Sequence, residues 1–252
     1  MKKNLIKIAV VILVLLVAAA FVITLTLDSI VRKGVVSVGP QITKSDIKLD
    51  GVSISMLSGK GEIRGMVIGN PAGFKTASAI NVGKASLKVE PKSLLSDKII
   101  VRSVRVEAPE ITFEGSLKGS NLSALLANIE AFTASEKASA DKKPSKKLQV
   151  DDFVLTGAKV KLSMTLFEGK AATVPLPDIH LADLGKGENG VTPGELAEKI
   201  FKAIFEKTTS AVTGAIADLG KGVTDAAKNV GKGVSEGAEK AVKGIGDLFK
   251  KK

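Results

Sequence analysis

Residues Ile8 to Leu27 form twenty consecutive positions without a charge, and no other feature constrains the chain as much. As an α-helix rising about 1.5 Å per residue, such a run is roughly 30 Å long, the thickness of a bilayer's hydrocarbon core. Lys2, Lys3 and Lys7 precede it; Asp28, Arg32 and Lys33 follow. The positive excess before the run places residues 1–7 in the cytoplasm and the rest of the chain across the membrane. A cleaved signal peptide is the competing reading, with Ala18-Ala19-Ala20 as its small-residue site. The apolar run continues through Phe21–Leu27, however, which a signal peptide does not require. The expectation is one uncleaved anchor, bounded by Ile8 and Leu27, in a single-pass membrane protein.

The 252 residues carry a net charge of +11 and contain no Cys, Trp or Tyr. The missing cysteines exclude a disulfide scaffold, a thiolate zinc site and a Cys nucleophile. The basic balance favours acidic partners: anionic lipid, polysaccharide phosphate or nucleic acid. Nucleic acid is disfavoured, because nine Phe are a thin supply of stacking surface for bases.

From Ser45 the apolar period changes to two. Ile47 and Leu49, then Val52, Ile54 and Met56, alternate with polar neighbours. So do Ala85, Leu87 and Val89; Ile100, Val104 and Val106; and Ile111 and Phe113. Each reads as a strand with one apolar and one wet face, the habit of antiparallel sheets. Gly- and Pro-rich breaks separate them: Ser58–Gly61, Gly69–Gly73, Pro91 and Ala108-Pro109. Residues 121–131 read as a short helix with Asn121 as N-cap. Residues 132–147 lack large apolar residues over most of their length and read as a flexible linker. Strands return with Phe153 and Leu155, then with Val160, Leu162, Met164 and Leu166. Val174–Ile179 reads as a proline-bearing edge strand.

With an anchor followed by alternating strands, residues 1–131 resemble the AsmA-like family. The loop Ile68-Gly69-Asn70-Pro71-Ala72-Gly73-Phe74 is similar to that family's loop between early strands, and Leu87–Phe113 is similar to its repeated strand pair. Leu176–Leu181 and Thr192-Pro193 look like related bacterial proteins of unknown function. The resemblance implies an inner-membrane protein whose bulk is periplasmic β-structure. Larger relatives form an apolar groove thought to carry phospholipid; this chain is too short to bridge two membranes by itself. The apolar sheet face has two readings: an ordinary closed core, or a groove in which Leu87, Val89, Val104, Val106 and Phe113 face lipid.

Thr192-Pro193-Gly194-Glu195 is a helix start, with Thr at the N-cap and Glu three residues on. After Phe205 an eleven-residue repeat appears. Val212, Val223, Val234 and Ile245 share one phase, and Gly222, Gly233 and Gly244 another, each glycine preceded by Lys221, Lys232 or Lys243. Eleven residues make about three turns, so the apolar positions form a nearly straight stripe ending near Phe249. Each Gly costs about 1 kcal/mol relative to Ala in a helix. Such a helix suits an anionic membrane surface. Packing on the protein's own sheet, and disorder, are the alternatives; a stress-protectant helix is another reading.

Catalytic patterns are missing. His180 stands without metal-ligand neighbours and reads as structural. Asp151-Asp152 should point to opposite faces of a strand, or open a turn. Residues 214–221 resemble a phosphate loop, but the spacing is one residue too long and Gly222 replaces the required Ser or Thr. The expected fold is α+β, mainly β: a membrane helix, a curved antiparallel sheet as groove or sandwich, and a long C-terminal amphipathic helix. Its expected layout is a stub at 1–7, an anchor at 8–27, a β domain at 28–131, a linker at 132–147, completing strands at 148–184 and a helical region at 192–252. The expected role is non-enzymatic and needs no cofactor or metal: binding or shielding of membrane lipid in the envelope. The alternative is a scaffold binding envelope proteins through its sheet edge and C-terminal helix.

Overall fold

A computed structural model describes residues 28–229, apart from residue 30 and residues 117–118, 139–145 and 165–171. The expected anchor Ile8–Leu27 lies outside the described residues, and among those described no helix is long and apolar enough to cross a membrane.

The described chain opens with a helix, α1 (28–29 and 31–43). The strands are β1 (Ile47–Ile54), β2 (Lys60–Ile68), β3 (Ile80–Val89), β4 (Lys98–Glu107), β5 (Glu110–Ser116) and β6 (Gly119–Ser120), then β7 (Lys147–Thr156), β8 (Lys159–Met164), β9 (Ala172–Pro175) and β10 (Ile179–Leu184). Two helices complete it: α2 (Asn121–Ala138) between β6 and β7, and α3 (Pro193–Asn229) at the end. All ten strands belong to one curled sheet, a half-barrel with the helices packed on its apolar face.

The pairing joins nine of the ten strands into six long ribbons, and the two-residue β6 pairs with β5 alone. β4 continues into β5 across Ala108-Pro109, and β7 continues into β8 across Gly157-Ala158. Glu107 pairs with Thr156 before the break and Glu110 with Lys159 after it, so the register does not slip. β9 and β10 form the outermost ribbon, joined across Leu176–Asp178. The expectation of a purely antiparallel sheet is corrected at this point. The β4–β7 and β5–β8 pairings are parallel, because the chain crosses over through α2 before returning to the sheet.

All six ribbons break alternation on one line. Residues on one face of a flat strand are two apart. Here the inward residues step by three: Leu49 to Val52, Ile63 to Met66, Val82 to Ala85, Val106 to Pro109, Leu155 to Ala158 and Leu176 to Ile179. These pairs are in register across the sheet, so the steps align into a crease. At each step two successive residues face outward, and on β2 this crowds the surface. Glycine relieves the crowding at Gly65 (φ 58°), where an added Cβ would lie 1.9 Å from an Asp50 carboxylate oxygen. Ala108 (φ 46°) takes the same left-handed conformation despite its Cβ.

Beyond the crease the core is sealed. Ile111, Val160, Leu122 and Leu125 have no exposed surface. α2 buries Leu122, Leu125, Ile129 and Thr133, and it runs on to Ala138, so residues 132–138 of the expected linker are helical. Its N-cap is Ser120, not Asn121: Ser123 N–H donates to Ser120 Oγ, and Ser120 N–H donates to Ser123 Oγ. α3 begins with the expected capping box. Glu195 N–H donates to Thr192 Oγ1, and Thr192 N–H donates to the Glu195 carboxylate.

Gly65→Ala should destabilise the fold by about 1–3 kcal/mol, because it places a side chain in a left-handed, crowded position. Gly34→Ala in α1, where an added Cβ meets nothing within 4 Å, should be neutral or stabilising by up to about 1 kcal/mol. Urea unfolding of the detergent-solubilised chain measures both.

Candidate functional site

The five sheet residues singled out for lipid contact share the inner face. Leu87 pairs with Val104, and Ala85 with Val106; Val104, Val106 and Phe113 join the core. Their exposure divides them. Val89, Val106 and Phe113 are buried, whereas Leu87 and Val104 are only half-buried. Val52, Ile63 and Val101, inward neighbours on the same side of the crease, are also half-buried. The inner face is thus closed beyond the crease across β3, β5 and β8, with Met66, Ile68 and Val174 half-buried toward the edges. Before the crease it is partly uncovered across β1–β4, where, past the step residues themselves, Ile54 and Val89 alone are buried.

The uncovered part lies toward the end where the chain enters the described fold. Asp28 accepts a hydrogen bond of 2.7 Å from the backbone N–H of Ile54, at the end of β1. α1 then runs back along β1, and Ile42 near its C-terminus enters the core. Between α1 and β1 lies a groove of about 630 Å³, with Arg32, Lys33 and Lys48 among cationic residues and Val36, Ile47 and Leu49 among apolar ones. Sequence reasoning missed it. α1 and β1 were legible as separate segments, but nothing in their periodicity sets them side by side.

The C-terminal positions separate in the same way. Val212 is fully buried, and Phe205 is half-buried against the core. This part of the stripe packs on the protein's own sheet, the alternative to a membrane surface. Lys221 and Val223 lie within α3, while Lys232, Val234, Lys243, Ile245 and Phe249 lie outside the described residues.

The outer face carries paired charges. Asp151 accepts from Arg102 at 2.8 Å and from Gln149 at 2.6 Å, and the Gln149 amide and Arg102 guanidinium hold its carboxyl below the ordinary carboxylate range. Asp152 meets Arg105 at 3.3 Å and His180 at 2.5 Å. The opposite-face expectation for Asp151-Asp152 is corrected: both point outward, within β7 rather than at a turn. A second three-residue step, Val150 to Phe153, Val101 to Val104 and Leu181 to Leu184, turns two successive residues out. His180 is two-thirds exposed at its side chain, and among the described residues no acidic or histidine cluster could hold a metal.

At the far end a buried polar lock fixes α2. Asn121 has no exposed surface; its amide donates to Asn70 Oδ1 and Thr112 O, and its Oδ1 accepts from Glu114 N–H. Glu114 accepts from the N–H groups of Lys75 and Thr76 and from the Thr76 hydroxyl. Burial pushes the Glu114 carboxyl up, but those bonds to Thr76 and Lys75 together outweigh it and hold the group below the ordinary carboxylate range.

A carboxyl whose folded pKa lies below its unfolded value stabilises the fold above that unfolded value and loses the contribution as pH falls through the folded one. Unfolding free energy should therefore drop as pH falls below about 4.5. Glu114→Gln should lower stability at neutral pH and flatten the acid slope, a slope shared with Asp151 and Glu195. Asn121→Ala should cost about 1–3 kcal/mol, because it strands buried partners. Urea titrations at a series of pH values check all three.

The fold and its anchor-side opening can be set beside known proteins. Comparison with curated proteins returns no match. The sequence profile of the AsmA family matches residues 1–174, a span covering the apolar run Ile8–Leu27, α1, five of the six steps of the crease and both crossover ribbons. The chain belongs to the AsmA family.

Proposed function

We propose that this chain is a membrane-anchored protein of the bacterial cell envelope that binds or shields lipid acyl chains without catalysis. Family membership supports a membrane-associated envelope protein. The observation that carries the lipid reading is the half-buried band Val52, Ile63, Leu87, Val101 and Val104, apolar and on the anchor side of the crease. An acyl chain entering from a bilayer would meet this band first, while the sealed core beyond the crease limits how far it could travel. That geometry favours local holding over conduction along a continuous groove. In this reading residues 1–7 are cytoplasmic, the described fold is periplasmic, and no cofactor takes part.

The second reading is a scaffold for envelope proteins. It is favoured by the burial of Val89, Val106 and Phe113, which leaves less of the inner face for lipid. Photo-crosslinkers in living cells at Leu87 and Val104, with Arg105 on the outer face as control, separate the two. Lipid adducts at Leu87 and Val104 but not at Arg105 are expected. Defined protein adducts with no lipid adducts would sink the lipid reading and favour the scaffold.

A further inference from the structure

Leu57 is 92% exposed, at the apex of the β1–β2 turn. No other large apolar side chain among the described residues is exposed to that degree. The turn is held shut: Ser55 N–H donates to Lys60 O and Gly59 N–H donates to Ser55 O, both at 2.8 Å. Gly59 (φ 69°) packs so closely on Val89 that an added Cβ would lie 2.0 Å from the Val89 carbonyl. Leu57 is therefore displayed on a rigid hairpin rather than on a loose loop.

The direction of that display follows from Asp28. Its carboxylate holds Ile54 N–H, three residues before Leu57. From Asp28 the helix α1 runs back along β1 toward Asp46, whereas the hairpin continues the other way. At about 3.3 Å per strand residue, the apex reaches roughly 7–10 Å past the level of Asp28. That is the side from which the chain arrives, and the twenty-residue apolar run ends at Leu27. Exposed Lys60 borders the turn. The neighbouring turn adds Lys92, and Lys146 reaches the Leu94 carbonyl at 3.0 Å. Asp97 and Glu188 are the exposed acids at this end.

We infer that the β1–β2 hairpin is a second membrane contact, inserting Leu57 into the interface of the same bilayer that holds Ile8–Leu27, with Lys60, Lys92 and Lys146 against anionic headgroups. An apolar apex among lysines matches the depth profile of an interface, apolar inward and cationic at the headgroup level. A tether alone leaves the fold free to swivel about Asp28; a second contact fixes its tilt and turns the half-buried band toward the bilayer. The inference rests on reading Ile8–Leu27 as a membrane anchor.

The chain has no native cysteine, so single labels are unambiguous. Nitroxides at Leu57→Cys and at Ala72→Cys, an exposed position in the far-end loop, are placed in the full chain in vesicles of phosphatidylethanolamine and phosphatidylglycerol. Leu57→Cys should collide more with oxygen than with a water-soluble nickel complex, and Ala72→Cys the reverse. Water-like accessibility at both sites, in protein that still co-floats with the vesicles, overturns the hairpin contact and leaves the anchor intact. Protein that does not co-float overturns the anchor reading and the hairpin contact with it.

Discussion

The fold depends on six strands breaking their alternation at one line. A single three-residue step in an isolated strand would turn half of its apolar side chains toward water. Six steps in register instead keep the apolar face continuous and bend the whole sheet. The bend makes the sheet half-barrel-like, and it divides the inner face into a far part whose centre, at β3, β5 and β8, is sealed and a near part left half-covered. The outward doublets at the crease hold small residues at Gly51, Gly65, Gly83, Ala108 and Gly157, and at Gly65 a side chain would collide with Asp50.

Much of this was legible in the sequence, and the limits have physical causes. Alternation over Ala85–Val89, Val104–Val106 and Ile111–Phe113 gave the strands and the shared face, because strand periodicity is a local property. The capping box at Thr192–Glu195 was legible for the same reason. The crease was present as broken alternation, and those breaks read as strand ends because one strand shows nothing of its neighbours' register. The parallel pairings were hidden because a helical crossover and a tight turn can each separate two strands; only the tertiary position of α2 decides between them. Helix α2 itself ran past Ala131 because Thr133, polar in the sequence, is buried with its hydroxyl bonded to Ile129 O at 2.9 Å.

For the candidate site the same division holds. Leu87 and Val104 could be assigned to the apolar face from spacing alone, but how much water each meets depends on where the helices lie. Val212 shows the opposite outcome. Its eleven-residue phase fits a membrane-facing stripe, yet it is fully buried because a stripe on a helix seats equally well on a sheet. Periodicity identifies an apolar face without naming its occupant.

The direction of α3 bears on what the remaining stripe can touch. Val191 bridges Leu148 at the start of β7, on the same side of the crease as Ile54 and Asp28, and Thr192 binds Glu136 near the end of α2. The helix thus starts at the anchor end, and it packs on β8 and β9 beyond the crease. At about 1.5 Å per residue, Lys221 stands roughly 42 Å along α3 from Pro193. That is several times the roughly 10 Å over which salt leaves surface charges in contact. On the anchored reading, the end of α3 is therefore carried away from the anchoring leaflet, on the far side of the fold from Asp28.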